Sequence, residues 1–267
     1  GTEQIMELFD RIVTETVQSG IEPFQLIFTG IHDCYTGTPV AYRTETDVFC
    51  SATGKLSGSY VKKIDLTETG KEFSLRNLIK ATRCVKELSD RKRKTAWISV
   101  QATTSFLTQN DLYSVVSAAI EKENFSQPEK ICVELSKNIF FADRDSVRKG
   151  IADLKVLGLK TMISGFAADG FPTSALLDIP IDIAVLAPEI TDLALDRNKP
   201  GVLASLIRFV RSMDAQVVGE GAKDDDVIRE LNKAECFGFI PDSAYYGKFS
   251  PEIGKRPFSS VLEDKED

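Results

Sequence analysis

Residue types that carry common enzyme chemistry are scarce in this 267-residue sequence. Histidine occurs once, as His32, so neither a metal cluster nor a catalytic triad can be assembled from several histidines. The five cysteines form no CxxC pair, and several lie in apolar runs, which indicates reduced, buried thiols. They are Cys34, Cys50, Cys84, Cys132 and Cys236. No GxGxxG motif follows the first predicted strand, which argues against a dinucleotide-binding fold.

Long hydrophobic runs are also missing. No run approaches the roughly 20 apolar residues that cross a bilayer, and residues 1–21 are amphipathic and acidic rather than like a signal peptide. The net charge of −7 argues against a nucleic-acid-binding surface. The one basic cluster, residues 91–94, is expected to be a solvated helix end. The sequence therefore predicts a cytoplasmic domain that contacts neither membrane nor nucleic acid.

The sequence is otherwise typical of a globular protein, with 42% hydrophobic and 27% charged residues. Hydrophobic periodicity predicts a set of helices and a set of buried strands. The predicted helices lie near residues 5–20, 74–89, 111–121, 146–157, 201–213 and 225–234. The predicted strands lie near residues 24–28, 39–42, 97–100, 131–135, 161–163, 183–186, 216–218 and 237–240.

The order of these elements predicts the fold class. The first two strands look like a hairpin, and strands and helices then alternate at intervals of about 30 residues, which is typical of βαβ units in a parallel sheet. Their number favours an α/β fold of the (β/α)8 TIM-like barrel type over an open sheet. We predict a single domain over 1–267, with a leading helix within 1–22, a Gly/Ser-rich surface loop at 51–58 and a C-terminal tail over 251–267.

Functional residues of an α/β barrel project from the carboxyl ends of its strands. The predicted ends carry Gln101, Glu134, Ser164, Ala187 and Glu220. Two-residue alternation places Glu134 on the face of Cys132, and the glycines that flank Glu220 leave room for a ligand. Two carboxylates at a barrel mouth suit a general acid/base pair or metal ligands. They are equally compatible with carboxylates neutralised by nearby cations or backbone N–H groups.

Several motifs in register suggest a family. The segment DLTETG at 65–70 resembles the "AEETG" segment of the EAL-domain family, and WISVQ at 97–101 resembles its "SVN" strand. VELS at 133–136 resembles "LEITE", residues 158–182 keep the spacing of "DDFGTG…LPVD", and VVGEG at 217–221 resembles "VVAEGVE". The chain is thus similar to the bacterial cyclic di-GMP phosphodiesterases from about residue 5 to residue 251.

The resemblance implies hydrolysis of a phosphodiester by water that a pair of Mg or Mn ions activates. Most of the matching positions are substituted here. Arg43 stands at the position of the family's metal-binding Glu, Asp47 at that of its phosphate-binding Arg, and Gln101 at that of its metal-binding Asn. The other substituted positions are Lys137, Ser164, Gly165, Val185, Ala187, Lys223 and, with a looser alignment, Ile240.

Glu134 and Glu220 are the carboxylates that the family pattern retains. A hard divalent cation needs about six oxygen ligands, usually with several carboxylates. We expect Arg43 to lie within salt-bridge reach of Glu134 or Glu220, with Lys223 as a second candidate cation. The sequence therefore predicts that no catalytic set is intact and that no metal cofactor is bound.

The resulting hypothesis is a catalytically inactive EAL-like domain, excised from a larger signalling protein, that acts through protein contacts or as a homodimer in bacterial cyclic di-GMP signalling. A non-hydrolysing cyclic di-GMP receptor is the first alternative, although Asp47 would repel the phosphates. A working enzyme, either a residual phosphodiesterase or one that uses Glu134 and Glu220 on another substrate, is the second.

Two aromatic segments are candidate partner surfaces. Phe171 follows the sixth predicted strand and is either an exposed anchor for a partner or a side chain tucked into the barrel mouth. Tyr245, Tyr246 and Phe249 form either a partner patch or a structural cap.

Overall fold

The computed structural model describes residues 2–20, 22–50, 54–55, 58–248 and 253–265. Its strands are β1 Phe24–His32, β2 Pro39–Cys50, β3 Gly54–Lys55, β4 Ile98–Ala102, β5 Ile131–Leu135, β6 Lys160–Phe166, β7 Ile183–Leu186, β8 Gln216–Ala222, β9 Gly238–Pro241 and β10 Arg256–Pro257. Its α-helices are α1 Thr2–Gln18, α2 Gly58–Lys63, α3 Glu68–Asp90, α4 Thr104–Thr108, α5 Leu112–Lys122, α6 Arg144–Val156, α7 Pro188–Thr191, α8 Val202–Arg211, α9 Asp225–Lys233 and α10 Phe258–Leu262.

Eight strands of the described residues close into a ring in the order β1-β9-β8-β7-β6-β5-β4-β2, with β2 pairing back to β1. The predicted α/β barrel is therefore confirmed. Its first strand departs from a fully parallel (β/α)8 barrel, because β1 runs antiparallel to both β2 and β9. The short segment between β1 and β2 allows a hairpin, whereas a parallel pair would need a crossover of a dozen or more residues.

Two apolar layers hold the barrel together. Inside it, an inner cluster packs one or two side chains from each of the eight strands or their edges, with almost no exposure. Its members are Ile31, Ala41, Trp97, Cys132, Met162, Ile183, Val185, Val218 and Ile240. Alternate residues of the same strands face the helices and form the larger outer cluster. The two-residue period of each strand thus separates the barrel interior from the strand–helix layer.

Several elements are longer than their sequence patterns predict. Helix α3 begins at Glu68 instead of residue 74, because the Thr67 side chain caps it by accepting a hydrogen bond from the Gly70 N–H. The β1–β2 hairpin continues through Thr46, whose hydroxyl donates to Asn77. Because this stretch contains polar threonines, its hydrophobicity pattern alone does not predict a strand. Most of the predicted loop at 51–58 lies outside the described residues.

The segment after β9 completes the barrel wall. Strand β1 is followed directly by β2 and not by a helix that could cover it. Residues 253–265, here called the C-terminal strap, cover its outer face. Strand β10 pairs with β1, and the Phe258 ring stacks on Phe28 with 5.2 Å between centroids. Val261 is fully buried, and Arg93 donates to the carbonyl of Leu262 at 3.0 Å. The expected tail is thus packed on the barrel. Arg91, Lys92 and Lys94 are exposed at the end of α3, as expected of a solvated helix end, whereas Arg93 holds the strap.

Other expectations from composition can be compared with the structure. Cys84 and Cys132 are buried free thiols, and burial raises the pKa of Cys84 to about 12. His32 is buried, with its Nδ1 2.9 Å from the Gly37 carbonyl oxygen. Among the described residues, no helix is both long and apolar enough to cross a bilayer.

Candidate functional site

A layer of polar side chains lies at the mouth of the barrel, directly above the inner cluster. Each member follows an inner-cluster residue of its own strand by two positions, so it faces the same side of the strand. The layer contains Arg43 on β2, Glu134 on β5, Ser164 on β6 and Glu220 on β8. Three of the five strand-end residues that the sequence singled out, Glu134, Ser164 and Glu220, are therefore brought together by the closed ring.

Arg43 joins the two carboxylates. Its Nε lies 2.8 Å from Oε1 of Glu134 and its Nη2 lies 3.2 Å from Oε2, which makes a bidentate pair. Its Nη1 lies 3.2 Å from Oε1 of Glu220. The contact expected between Arg43 and Glu134 or Glu220 is thus present with both residues.

These groups are largely removed from water. The side chains of Arg43 and Glu134 are 14% and 9% exposed, and that of Glu220 is 30% exposed. Burial disfavours the charged guanidinium, but the attraction of Glu134, its hydrogen bonds and the more distant Glu220 outweigh it and raise the pKa of Arg43. Arg43 is therefore positively charged at neutral pH.

Two neutral side chains, Ser164 and Gln101, and the ammonium of Lys137 lie near these charged groups. Ser164 Oγ lies 3.5 Å from Oε2 of Glu134, at the limit of a hydrogen bond. The Gln101 side-chain oxygen accepts from the Thr46 backbone N–H at 3.1 Å. The ammonium of Lys137 lies over Gly165, where a Cβ would come within 2.5 Å of it. Gly165 has φ +68°, so its backbone conformation also favours glycine.

Other predicted positions fall outside the polar layer. Val185 is buried in the inner cluster, and Ala187 is buried at the start of α7, so neither offers an oxygen or nitrogen ligand from its side chain. Asp47 is half-buried four residues beyond Arg43 on β2. The expectation that Lys223 faces the carboxylates is wrong, because its ammonium is exposed and pairs with Asp192 at 2.9 Å.

The glycines around Glu220 have a packing role. A Cβ at Gly219 would lie 2.7 Å from a methyl carbon of Leu231 on α9, and one at Gly221 would lie 2.9 Å from Pro188. Gly221 also has φ +78°. The glycines therefore let β8 approach these neighbours closely, while Glu220 and Gly221 themselves line an open cleft.

An open cleft of about 210 Å³ lies beside Arg43 and Glu220. Glu45, Asp242, Ser243 and Lys255 line it, and the sequence reasoning missed all four. Glu45 had a signal, because it is two residues beyond Arg43 on the same strand face. Lys255 had none, since it reaches the cleft only through the strap, where its Nζ lies 3.2 Å from Glu45.

The two aromatic segments differ in how far the structure describes them. Phe171 is half-buried against Phe140 and Phe166, with ring centroids 5.3 and 5.4 Å away. Its exposed-anchor interpretation is therefore wrong, and it packs at the barrel rim. Tyr245 is buried and donates a hydrogen bond to Asp225, as expected of a cap. The side chain of Tyr246 and all of Phe249 lie outside the described residues.

The metal pair that the sequence resemblance implies does not fit this donor set. Among the described residues, no group of three or more His, Cys, Asp or Glu side chains is placed to hold a metal ion. Both oxygens of Glu134 and one oxygen of Glu220 already accept from Arg43. A divalent ion at these oxygens would displace a buried guanidinium or lie beside it.

Comparison with known proteins identifies the class of barrel. The EAL domain family model matches residues 14–239, so the chain belongs to the EAL domain family. A search of curated proteins finds no match. Three solved structures illustrate the similarity in fold, at identities that by themselves show only the fold.

The first is the PaMucR phosphodiesterase in its c-di-GMP complex, with a TM-score of 0.76, 14% identity, and 97% of this chain and 100% of that chain covered. The FimX EAL domain from Pseudomonas aeruginosa bound to c-di-GMP has a TM-score of 0.74 and 12% identity, with 92% and 95% covered. An EAL domain protein from Listeria monocytogenes EGD-e has a TM-score of 0.73 and 16% identity, with 95% and 96% covered.

Proposed function

We propose that this domain acts in cyclic di-GMP signalling through protein contacts and does not hydrolyse the dinucleotide. The observation that carries the proposal is the position of Arg43, whose guanidinium is bonded to both retained carboxylates. At an effective dielectric constant of 20, a divalent ion about 4 Å from a unit positive charge is repelled by about 8 kcal/mol. Such repulsion, with few oxygen ligands to offset it, disfavours the metal-activated water on which the family chemistry depends.

The charge of the open cleft also argues against a receptor for two phosphates. Three carboxylates, those of Glu45, Glu220 and Asp242, line it with two cations, Arg43 and Lys255. Both cations already pair with carboxylates of the same cleft. An entering phosphate would therefore meet a net negative surface, and this supports a domain that works without the nucleotide.

Exposed apolar side chains support protein contacts. Leu66, Phe141 and Leu177 are 72%, 79% and 66% exposed, and they lie in segments that precede α3 and follow β5 and β6. The hydrogen bond from Asn138 to Asp65 connects the first two segments. Large exposed apolar patches commonly mark protein interfaces. A second copy of the chain or another signalling protein would cover them, and the family assignment supports a bacterial, cytoplasmic setting.

The hydrolysis test is direct. Purified domain is incubated with cyclic di-GMP and Mg²⁺ or Mn²⁺, and the linear dinucleotide is measured by chromatography, with the PaMucR phosphodiesterase as the active control. We expect no product. Metal-dependent product that disappears in Glu134→Gln would refute the proposal.

Calorimetric titration separates the receptor alternative. Cyclic di-GMP is titrated into the domain with excess Mg²⁺ present, and we expect no heat up to high micromolar nucleotide. Saturable binding that is lost in Arg43→Glu, without hydrolysis, would instead identify a receptor.

A further inference from the structure

Two of the free cysteines lie at neighbouring positions at the end of the barrel opposite the mouth. Strands β1 and β9 are antiparallel and pair through His32 and Phe239. Cys34 follows His32 by two residues and Cys236 precedes Phe239 by three, so the same register brings the two cysteines next to each other. The backbones are close here, since a Cβ at Gly238 would lie 2.8 Å from the carbonyl oxygen of His32.

The two cysteine side chains face the same layer of the protein. Phe237 packs against the inner cluster, whereas Cys34 and Cys236 are half-buried and both pack against the outer cluster. The thiols are also close enough to influence each other. Burial raises the pKa of Cys236, and the nearby Cys34 raises it further, against a smaller lowering by Arg211. The two thiols therefore lie near each other on one side of the β1–β9 pair.

We propose that Cys34 and Cys236 form a redox-responsive pair that a disulfide oxidant, such as oxidised glutathione, converts into an intramolecular disulfide. The thiolate of Cys34 attacks one sulfur of the oxidant and releases one glutathione thiolate. The thiolate of Cys236 then attacks the Cys34 sulfur and displaces the second. Two protein thiols are thus oxidised, the disulfide of the oxidant is reduced, and the two thiol protons pass to the released glutathione thiolates.

The disulfide would fix the turn between β1 and β2 to the start of β9. It would close a loop of about 200 residues, which removes freedom from the unfolded chain and so stabilises the folded one. Burial and, to a lesser extent, Asp33 raise the pKa of Cys34 to about 12. The pair therefore stays as thiols in a reducing compartment and reacts slowly with oxidants. This inference goes beyond the proposed function, because it concerns the opposite end of the barrel.

Oxidation of the purified domain tests the pair. The domain is equilibrated with oxidised glutathione at mildly alkaline pH, which raises the thiolate fraction. It is then unfolded with iodoacetamide to block the remaining thiols, and its peptides are mapped by mass spectrometry without reduction. We expect one cross-link, between the peptides that contain Cys34 and Cys236, and a melting temperature several degrees above that of the reduced domain. Dithiothreitol should reverse both effects.

Three serine variants control for other reactions. Cys34→Ser and Cys236→Ser each remove one thiol of the pair with little change in side-chain size, and each should lose the cross-link and the rise in melting temperature. Cys84→Ser removes a buried thiol on α3 and should retain both effects. If Cys236→Ser does not fold, Cys34→Ser on the turn supplies the test.

Three outcomes would overturn the inference. These are a glutathione adduct on either cysteine without the cross-link, a cross-link that persists in Cys34→Ser, and complete blocking of both thiols by iodoacetamide after prolonged equilibration. Because these measurements contain neither cyclic di-GMP nor a metal ion, they fail independently of the hydrolysis assay.

Discussion

The C-terminal strap is expected to be part of the folded domain, although it lies beyond the residues 14–239 that match the family model. Val261 is the residue through which this is best tested, because its side chain has no solvent exposure. Val156, at the end of α6, is 75% exposed. The same Val→Ala substitution can therefore be made on the strap and at a solvated helical position.

The expected magnitude follows from burial. Val→Ala removes two carbon atoms, each worth about 0.8 kcal/mol when fully buried. The cavity left behind adds to this loss, so Val261→Ala should reduce the free energy of unfolding by about 2 kcal/mol. Val156→Ala should change it by less than about 0.5 kcal/mol, as exposed substitutions usually do.

Urea unfolding of the two variants and the wild type measures the difference. The sequence contains a single tryptophan, Trp97, which is buried in the inner cluster and stacks on Phe237. Its fluorescence therefore reports unfolding of the barrel itself, and circular dichroism provides a second probe. Coincident transitions by the two probes would support two-state analysis.

A strap that merely touches the surface would give a different result. If Val261→Ala and Val156→Ala have the same midpoint and the same slope as the wild type, the strap does not stabilise the barrel. A chain truncated after residue 252 provides the stronger version. It loses the cover of Phe28 and the Leu262 carbonyl that accepts from Arg93, and we expect it not to fold.

Three further predictions concern the mouth, the buried histidine and the apolar surface. Arg43→Met should destabilise the domain by about 3–5 kcal/mol in urea unfolding with EDTA present, because it leaves carboxylates buried without their countercharge. Lys223→Met should have little effect in the same titration. Equal urea midpoints for the two variants would contradict the role of Arg43. Burial lowers the pKa of His32 below 6.5; a hydrogen bond to the Gly37 carbonyl opposes this shift, and Arg256 adds a smaller lowering. The contribution of neutral His32 to the free energy of unfolding should therefore be fully present above pH 6.5 and be lost as the pH falls through the lowered pKa. His32→Gln should remove this part of the pH dependence when unfolding is measured from pH 7.5 to pH 5. Phe141→Ser should weaken self-association measured by analytical ultracentrifugation. Tyr35→Ser should not, because Tyr35 is 85% exposed on the hairpin turn at the opposite end of the barrel. A monomeric wild type would instead direct the search to a different partner.

Much of the site was predictable because its geometry is periodic. Residues two apart on a strand face the same side, so the alternation around Cys132 predicts that Glu134 faces the barrel interior. Parallel strands end at the same edge, so a carboxylate on β5 and one on β8 are expected at one mouth. The sign of Arg43 next to two carboxylates then predicts their ion pairs.

Contacts between segments far apart in sequence were harder to predict from the sequence. Lys223 is only three residues beyond Glu220, yet its side chain lies on the outside with Asp192. Phe171 packs between Phe140 and Phe166 because of how the turn after β6 is placed. Local hydrophobicity does not specify where the side chain of Lys223 or of Phe171 points, since both orientations depend on side chains supplied by other loops.

Strand periodicity and residue type are local properties, and they suffice to predict the α/β alternation, the inward-facing carboxylates and the opposite charge of Arg43. The antiparallel direction of β1, its cover by the strap and the reach of one guanidinium to both Glu134 and Glu220 depend instead on how the barrel closes. Strand order and register bring residues 43, 134 and 220 within hydrogen-bond distance, and neither is encoded in any local segment of the chain.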